Sequence, residues 1–490
     1  MRHLDHKKDP KTENNYVPVM SDGSIDFKVD RSAKTSLAGQ IQQRITAAIE
    51  NGTLMPGARL PSWQDLAAQL GVARGTVRTA YERLHAAQLI VASRTTGTHV
   101  APRLRTKVKR EPKPDPGSFL EAYQEMTQGP AFFQMGVPAM ESMPKTLLAR
   151  IRASSIRMEI SAAALYPDPR GEPQLRHEIA GYLSMSRGID CSPSQVIITG
   201  GYSAGLGLAL RALGLEGEKA WIEEPGFPFT RKGLELARIR PVPIAVDAAG
   251  IDVDQGMMLA GDARIAVVTP GQQAPLGSML SLERRLKLLD WAASNQAWII
   301  EDDYLSELQL NGRAAPALAS LDHPGRVIHI GSFSKTITPT LRLGFIVVPT
   351  ALIASFTEVA ACLAPPPGPA VQLAMARFMQ EGHYLRHLRR TKRLYAAKRE
   401  SLLVELRRHF DDDHLIKTGV AVLVRMPDGS PDLAVARETL AFGMFPIPLS
   451  SWYVTPEIRR SGLLLGVATS PTKELSQICD RLAEIIQKFS

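Results

Sequence analysis

Apolar positions along this chain follow two rhythms. After Ser36 they recur every four residues, at Leu37, Ile41, Ile45 and Ile49, which is the single stripe of an amphipathic helix that Asn51-Gly52 ends. Met55-Pro56-Gly57 turns the chain, and Ser62 with Asp65 three residues on gives a second helix a capping-box-like start. Leu66, Ala67 and Leu70 form its face and Gly71 its stop; a third helix is expected from about residue 73 to 87, with Val77, Tyr81 and Leu84 inward. Helix, tight glycine turn, helix is the helix-turn-helix outline. Residues 89–92 and 98–100, short and apolar on either side of Gly97, read as a hairpin that would form a wing.

Beyond about residue 119 the rhythm changes to continuous apolar runs separated by helical stretches. The runs lie at residues 196–199, 220–222, 265–268, 298–300, 327–330 and 345–348. Such runs imply an α/β domain whose mostly parallel sheet is covered on both faces. The expected organisation is a mobile polar arm at residues 1–35, a winged helix-turn-helix at 36–101, a basic Pro-rich linker at 102–118 and a large domain at 119–490.

Hydrophobic residues make up 44% and charged residues 22%, ordinary for a globular protein. No apolar run is long and clean enough to span a bilayer, and the polar N-terminus is unlike a secretory signal. Cys191, Cys362 and Cys479 are scattered, with neither a disulfide framework nor metal spacing, so the expected compartment is the reducing cytoplasm. The net charge of +9 is unevenly placed: between residues 51 and 110 the acids are Asp65 and Glu82, against ten lysines and arginines. That asymmetry points to a polyanion partner for this segment.

One constellation carries chemistry. Lys335 lies in Ser332-Phe333-Ser334-Lys335-Thr336, with Arg342 seven residues on and Asp302-Asp303-Tyr304 upstream. A lysine amine condenses with an aldehyde, serine hydroxyls and an arginine fork hold a phosphate, and a carboxylate keeps a pyridine nitrogen protonated. A tyrosine can hydrogen-bond the ring oxygen. These are the groups that pyridoxal 5'-phosphate needs. Asp302 and Lys335 each follow an apolar run, where ligands of such sheets bind.

These residues resemble those of fold-type-I pyridoxal-phosphate aminotransferases over roughly residues 119 to 490, and the first helices resemble the winged helix of GntR-type regulators over roughly residues 36 to 101. The fusion resembles a MocR-type regulator. By resemblance, Lys335 carries the cofactor as an internal aldimine, Arg342, Ser332 and Ser334 bind its phosphate, and Gly201, Tyr202 and Ser203 open a helix toward the same group. Asp302 rather than Asp303 pairs with the pyridinium, because the family pattern is Asp-x-Tyr, and Phe227 stacks on the ring. Tyr166 matches a tyrosine that reaches the neighbouring subunit's phosphate, which implies a homodimer. In the winged helix, Arg74 and Arg78 share the face of the recognition helix that enters the major groove, Arg59, Ser62 and Thr76 are phosphate contacts, and Arg94, Thr96 and Thr98 lie on the wing.

The chain also departs from the aminotransferase pattern. Ala274 stands where an asparagine usually binds the ring oxygen, and residues 462–467 lack the late arginine that clamps a substrate carboxylate; Arg459 and Arg460 lie nearby. A basic run at residues 386–394 is a candidate second DNA contact. The reading is therefore a cytoplasmic transcriptional regulator that binds double-stranded DNA and responds to a small amine, an amino acid or the cofactor itself. An active aminotransferase with an accessory DNA-binding domain is the alternative.

Overall fold

The computed structural model describes residues 29–93, 96–102, 131–310 and 315–489, apart from Lys34 and the side chain of Ser306. They fall into two compact units, one on each side of residues 127/128.

The first unit holds helices α1 (Leu37–Glu50), α2 (Trp63–Leu70) and α3 (Arg74–Ala86), then strands β1 (Ile90–Ser93) and β2 (Gly97–Val100). Ser62 caps α2 as the sequence suggests, its hydroxyl accepting the Asp65 N–H at 3.1 Å, and the structure adds a Ser36 cap on α1. Gly71 closes α2 in the left-handed region, at φ 63°. The stripes meet in one core that includes Ile41, Ile45, Leu66, Val77 and Leu84. β1 and β2 pair antiparallel, Ile90 opposite Val100, which makes the expected wing.

The second unit is a three-layer α/β domain with a small C-terminal sheet. Its strands are β3 (Val196–Thr199), β4 (Lys219–Glu224), β5 (Arg240–Asp247), β6 (Gly250–Ile251), β7 (Ile265–Val268), β8 (Trp298–Asp303), β9 (Val327–Ser332) and β10 (Gly344–Val347), in the order β3-β10-β9-β8-β7-β4-β5-β6. β9, β8, β7, β4 and β5 run parallel, while β10 is antiparallel to both β9 and β3. The mostly parallel sheet is thus observed, with β10 reversed inside it and the short β6 reversed at its edge: the apolar run at 345–348 does not encode its direction. β8 extends through Asp303, so Asp302 sits within the strand's end rather than after it.

Helices α4 (Lys145–Ser161), α5 (Pro173–Arg187), α6 (Tyr202–Leu213), α7 (Pro228–Leu236), α8 (Val253–Ala260), α9 (Leu282–Ser294), α10 (Ile353–Cys362), α11 (Pro369–Gln380) and α12 (His383–Leu406) accompany this sheet. Separate apolar clusters fill the spaces on its two faces, one around Ile222, Ile300 and Ile346 and another around Trp221, Ile299 and Val268. A second, antiparallel sheet has the order β11-β12-β14-β13, from β11 (Leu415–Lys417), β12 (Ala421–Arg425), β13 (Ile447–Pro448) and β14 (Gly462–Gly466). Helices α13 (Asp432–Thr439) and α14 (Leu475–Lys488) complete the unit. Among the described residues no helix is long and apolar enough to cross a membrane.

Candidate cofactor site and DNA-binding elements

The candidate site gathers at the carboxyl ends of β3, β4, β7, β8 and β9. Lys335 follows β9, and its amine donates to the carbonyl of Gly136 at 2.8 Å. Burial holds that amine below its ordinary value, and the negative charge of Asp302 opposes the shift. Asp302 is itself pushed well above the usual carboxylate range, first by burial and then by the like charges of Asp303 and Glu223. A cationic ring nitrogen would relieve that position.

The neighbouring carboxylate is engaged elsewhere. Asp303 accepts from the Arg187 guanidinium at 2.7 Å, both side chains being nearly inaccessible, and His329 stands 3.8 Å away. His329 in turn meets Glu301 at 2.9 Å. Among the described residues no hydrogen-bond donor reaches the Asp302 carboxylate, so of the two candidates Asp302 is the one left free for a ligand.

The turn before α6 and the loop after β9 approach each other through backbone. Gly201, at φ 96°, precedes α6, and a Cβ on it would point toward the Ser334 hydroxyl at 3.7 Å. A Cβ on Gly200 would come within 3.9 Å of the Arg342 carbonyl. Gly344 must remain a glycine for β10 to lie against this turn, since its Cβ would fall 2.9 Å from the Gly201 Cα. Free N–H groups at the start of α6 and the helix dipole favour an anion there. Ser332 accepts the Ser334 N–H at 3.2 Å, which shapes the loop leading to Lys335. Arg342 is exposed and occupies the left-handed region, at φ 48°. Ser203 is exposed, in the first turn of α6.

Around the ring position, Tyr202 shares a 2.7 Å hydrogen bond with Thr230. Phe227 is half-buried, stacked on Phe229 at 5.0 Å and tilted against Trp452 at 5.8 Å. Burial raises the Tyr304 phenol, while its hydrogen bond with Gln272 opposes the rise. Ala274 packs into an apolar cluster with Leu449, Trp452 and Leu464. Tyr166 is fully exposed. Arg460 pairs with Asp428 at the surface, and Arg459 lines a separate surface cavity. Arg389, Arg390 and Arg393 are exposed on α12.

Several participants were not singled out from the sequence. Gly136, Arg187, Glu223, Thr230 and Thr269 come from distant segments. Glu223 accepts the Thr269 N–H at 3.0 Å and its hydroxyl at 2.5 Å, and burial lifts its pKa to about 7. Only Glu223 had a local signal, an acid ending an apolar run four residues before Phe227.

In the first unit, Arg74 is the first residue of α3 and is exposed, with Thr76 half-buried in the same turn. Arg78 is exposed and pairs with Glu82 at 2.9 Å. Arg59 bridges to His99, and its guanidinium lies over Gly97, whose Cβ would be 3.5 Å from Arg59 Nε. Ser62 is committed to the cap of α2, Thr96 is exposed in the wing turn and Thr98 half-buried in β2; Arg94 lies outside the described residues.

Known proteins share both units. Residues 134–482 match the family Aminotransferase class I and II, and residues 37–100 match Bacterial regulatory proteins, gntR family. The chain is similar to the probable rhizopine catabolism regulatory protein MocR of Rhizobium meliloti, 33% identical over 92% of this chain and 93% of that one. It is 33% identical to the transcriptional regulator TauR of Rhodobacter capsulatus, over 78% of this chain and 81% of that one. The pyridoxine biosynthesis transcriptional regulator PdxR of Corynebacterium glutamicum is 32% identical over 74% of this chain and 78% of its own. Among solved structures, a kynurenine aminotransferase of Pyrococcus horikoshii shares the fold of the large unit, with a TM-score of 0.68 at 21% identity over 76% of this chain and 94% of that one. With relatives spanning nearly its whole length and each unit matched to its own family, the chain belongs to the MocR-type transcriptional regulators, in which a GntR-type helix-turn-helix unit is joined to an aminotransferase class I and II domain.

Proposed function

We propose that this regulator binds pyridoxal 5'-phosphate in its large domain and that an amine, an amino acid or the cofactor itself shifts its grip on operator DNA. The observation that carries the reading is Lys335 in the field of Asp302: a half-buried amine of lowered basicity near a buried carboxylate that no donor engages among the described residues. When bound, the cofactor supplies an aldehyde that condenses with primary amines. Lys335 would hold it covalently, its lowered basicity keeping a fraction of the amine neutral and nucleophilic. Asp302 would hold a proton on the ring nitrogen. Tyr304, steered by Gln272, would face the ring oxygen and Phe227 the ring face. Gly201, Tyr202, Ser203, Ser332, Ser334 and Arg342 would bind the phosphate, with Tyr166 offered to the partner subunit of a homodimer. In the first unit, Arg74, Arg78 and Thr76 on α3, Arg59 and Ser62 before it, and Arg94, Thr96 and Thr98 of the wing would contact duplex DNA in the cytoplasm.

Borohydride reduction followed by peptide mapping tests the first half: label on Lys335, lost in Lys335→Ala, is expected. DNA retardation on the gene's own upstream region, with and without pyridoxal phosphate and amines, tests the second. The alternative reading, a working aminotransferase, has the Lys335, Asp302, Tyr304 and Arg342 set in its favour. Against it stand Ala274 in an apolar cluster and an arginine-free β14. Sustained turnover with amino-acid and keto-acid pairs would decide for the enzyme.

A further inference from the structure

Residues 131–142 form a strap that is fastened at both ends and held in the middle by one side chain. At its start, the Phe132 N–H donates to the Gly443 carbonyl at 2.9 Å, and the Phe132 carbonyl accepts the Phe445 N–H at 2.8 Å. Phe133 is fully buried, and its carbonyl accepts the Gly466 N–H of β14 at 2.7 Å. The Gln134 carbonyl accepts the Thr469 hydroxyl at 2.8 Å. At its end, the Ala139 N–H donates to the buried Tyr395 hydroxyl at 2.9 Å, and Glu141 pairs with Lys398 at 2.5 Å, both partners belonging to α12. Among the described residues, the only hydrogen bond to residues 135–138 comes from the Lys335 amine, on the Gly136 carbonyl. The strap is also bent against its own preference: Phe133 sits at φ 62°, a left-handed conformation that an aromatic residue keeps only where its surroundings enforce it. In chain order, the strap follows the segment that leads from the helix-turn-helix unit.

What the lysine nitrogen carries decides whether the middle is held. A free amine has hydrogens to donate. When its lone pair bonds an aldehyde carbon, the two hydrogens of the neutral amine leave with the aldehyde oxygen as water. The resulting C=N nitrogen keeps at most one hydrogen, when protonated, and the neighbouring ring oxygen of the cofactor takes it. A primary amine that takes over the carbon hands its own two hydrogens to the lysine nitrogen and frees it again. Resting on the cofactor reading above, we infer that residues 131–142 are a regulatory strap that follows the state of Lys335: tethered while the amine is free, released at residues 135–138 when cofactor occupies the lysine, and tethered again when an incoming amine takes the aldehyde. Because the strap leads along the chain to the DNA-binding unit, its two states give amine recognition a covalent route to that unit, and linkage makes the coupling reciprocal.

Amide hydrogen exchange of the full-length protein, resolved at Phe132 and Ala139, tests this in four samples. They are the cofactor-free protein, protein loaded with pyridoxal phosphate, loaded protein treated with methoxyamine, and Lys335→Ala. Methoxyamine is the probe because its amine takes the aldehyde whatever the natural ligand is. Losing one charge-assisted hydrogen bond corresponds to opening, and so exchange, about 10-fold faster. Both amides are expected to speed up by that factor on loading, to return to the cofactor-free rate with methoxyamine, and to stay fast in Lys335→Ala with or without cofactor. Borohydride reduction before methoxyamine should abolish the return. Exchange in β5, at the far side of the sheet, serves as the reference for an intact fold. The inference is overturned if exchange is unchanged or slower on loading, if it stays fast after methoxyamine, or if Lys335→Ala protects both amides as well as the cofactor-free protein does. Protein that gains no visible absorbance on loading sinks the cofactor reading instead, and the comparison of Lys335→Ala with cofactor-free protein still judges the tether.

Discussion

Lys335 places its amine on the carbonyl oxygen of Gly136, a residue 199 positions earlier in the chain. The contact depends on Gly136 having no side chain. Its backbone sits at φ +81°, and a Cβ there would fall 2.7 Å from Lys335 Nζ. Gly136→Ala therefore adds backbone strain of about 1–2 kcal/mol and pushes the amine from its place. The expected outcome is a folded protein whose affinity for pyridoxal phosphate falls by about 10-fold or more. Absorbance titration with the cofactor measures the affinity, and thermal melting of the cofactor-free protein measures the strain.

Arg187 and Asp303 make a different bargain behind the same strand. Their 2.7 Å contact is almost fully enclosed, and Arg187 also donates to the Ala315 carbonyl at 2.6 Å. Arg187→Met leaves the buried Asp303 carboxyl without its guanidinium. Breaking a buried pair in this way costs about 3–5 kcal/mol. Denaturant unfolding should register that loss, and adding Asp303→Leu should recover part of it. A loss under about 1 kcal/mol for the single change would mean that water or His329 replaces the arginine.

The outline of the site was legible because its residues are local to apolar runs. Continuous stretches such as residues 298–300 mark buried strands, and the candidate residues sit at their ends. Capping was legible too, since Ser62 and Asp65 meet within one turn. What escaped depends on long-range pairing. Gly136 meets Lys335, and Arg187 meets Asp303 across 116 residues, with nothing in either local pattern to announce it. The reversal of β10 escaped for a related reason: a strand buried on both faces reads the same in either direction. β5 (residues 240–247) was overlooked because prolines and an arginine break its apolar run.

The buried Glu223 carboxyl gives stability a definite pH dependence. Burial raises its pKa from 4.5 to about 7, so between these values the folded protein binds a proton that the unfolded chain releases. Its contribution is complete below pH 4.5 and is lost as pH rises through 7, with a ceiling of roughly 3 kcal/mol for a shift of this size. Glu223→Gln removes the titrating proton while keeping the shape that Thr269 binds. Unfolding free energies measured from pH 4.5 to 8 should fall less steeply in this variant. An unchanged slope would show that Glu223 is already ionised when folded.

The helix that begins at Arg74 carries two arginines in different states. Among the described residues no carboxylate pairs with Arg74, whereas Arg78 is tied to Glu82 at 2.9 Å. Under the proposed reading Arg74, at the N-terminal end of α3, reads base edges. Arg74→Ala should then cost about 1–3 kcal/mol of operator affinity and relax the preference at one base pair. Glu82→Ala should act oppositely and without regard to sequence, by releasing the Arg78 guanidinium for phosphate. Its expected mark is tighter binding to unrelated duplex and a salt dependence steeper by about one counterion. Anisotropy titrations of both variants on operator and scrambled DNA, at several salt concentrations, separate these effects. If Arg74→Ala weakened both duplexes equally and flattened the salt slope, Arg74 would be a backbone contact, and base reading on this helix would have to come from another residue.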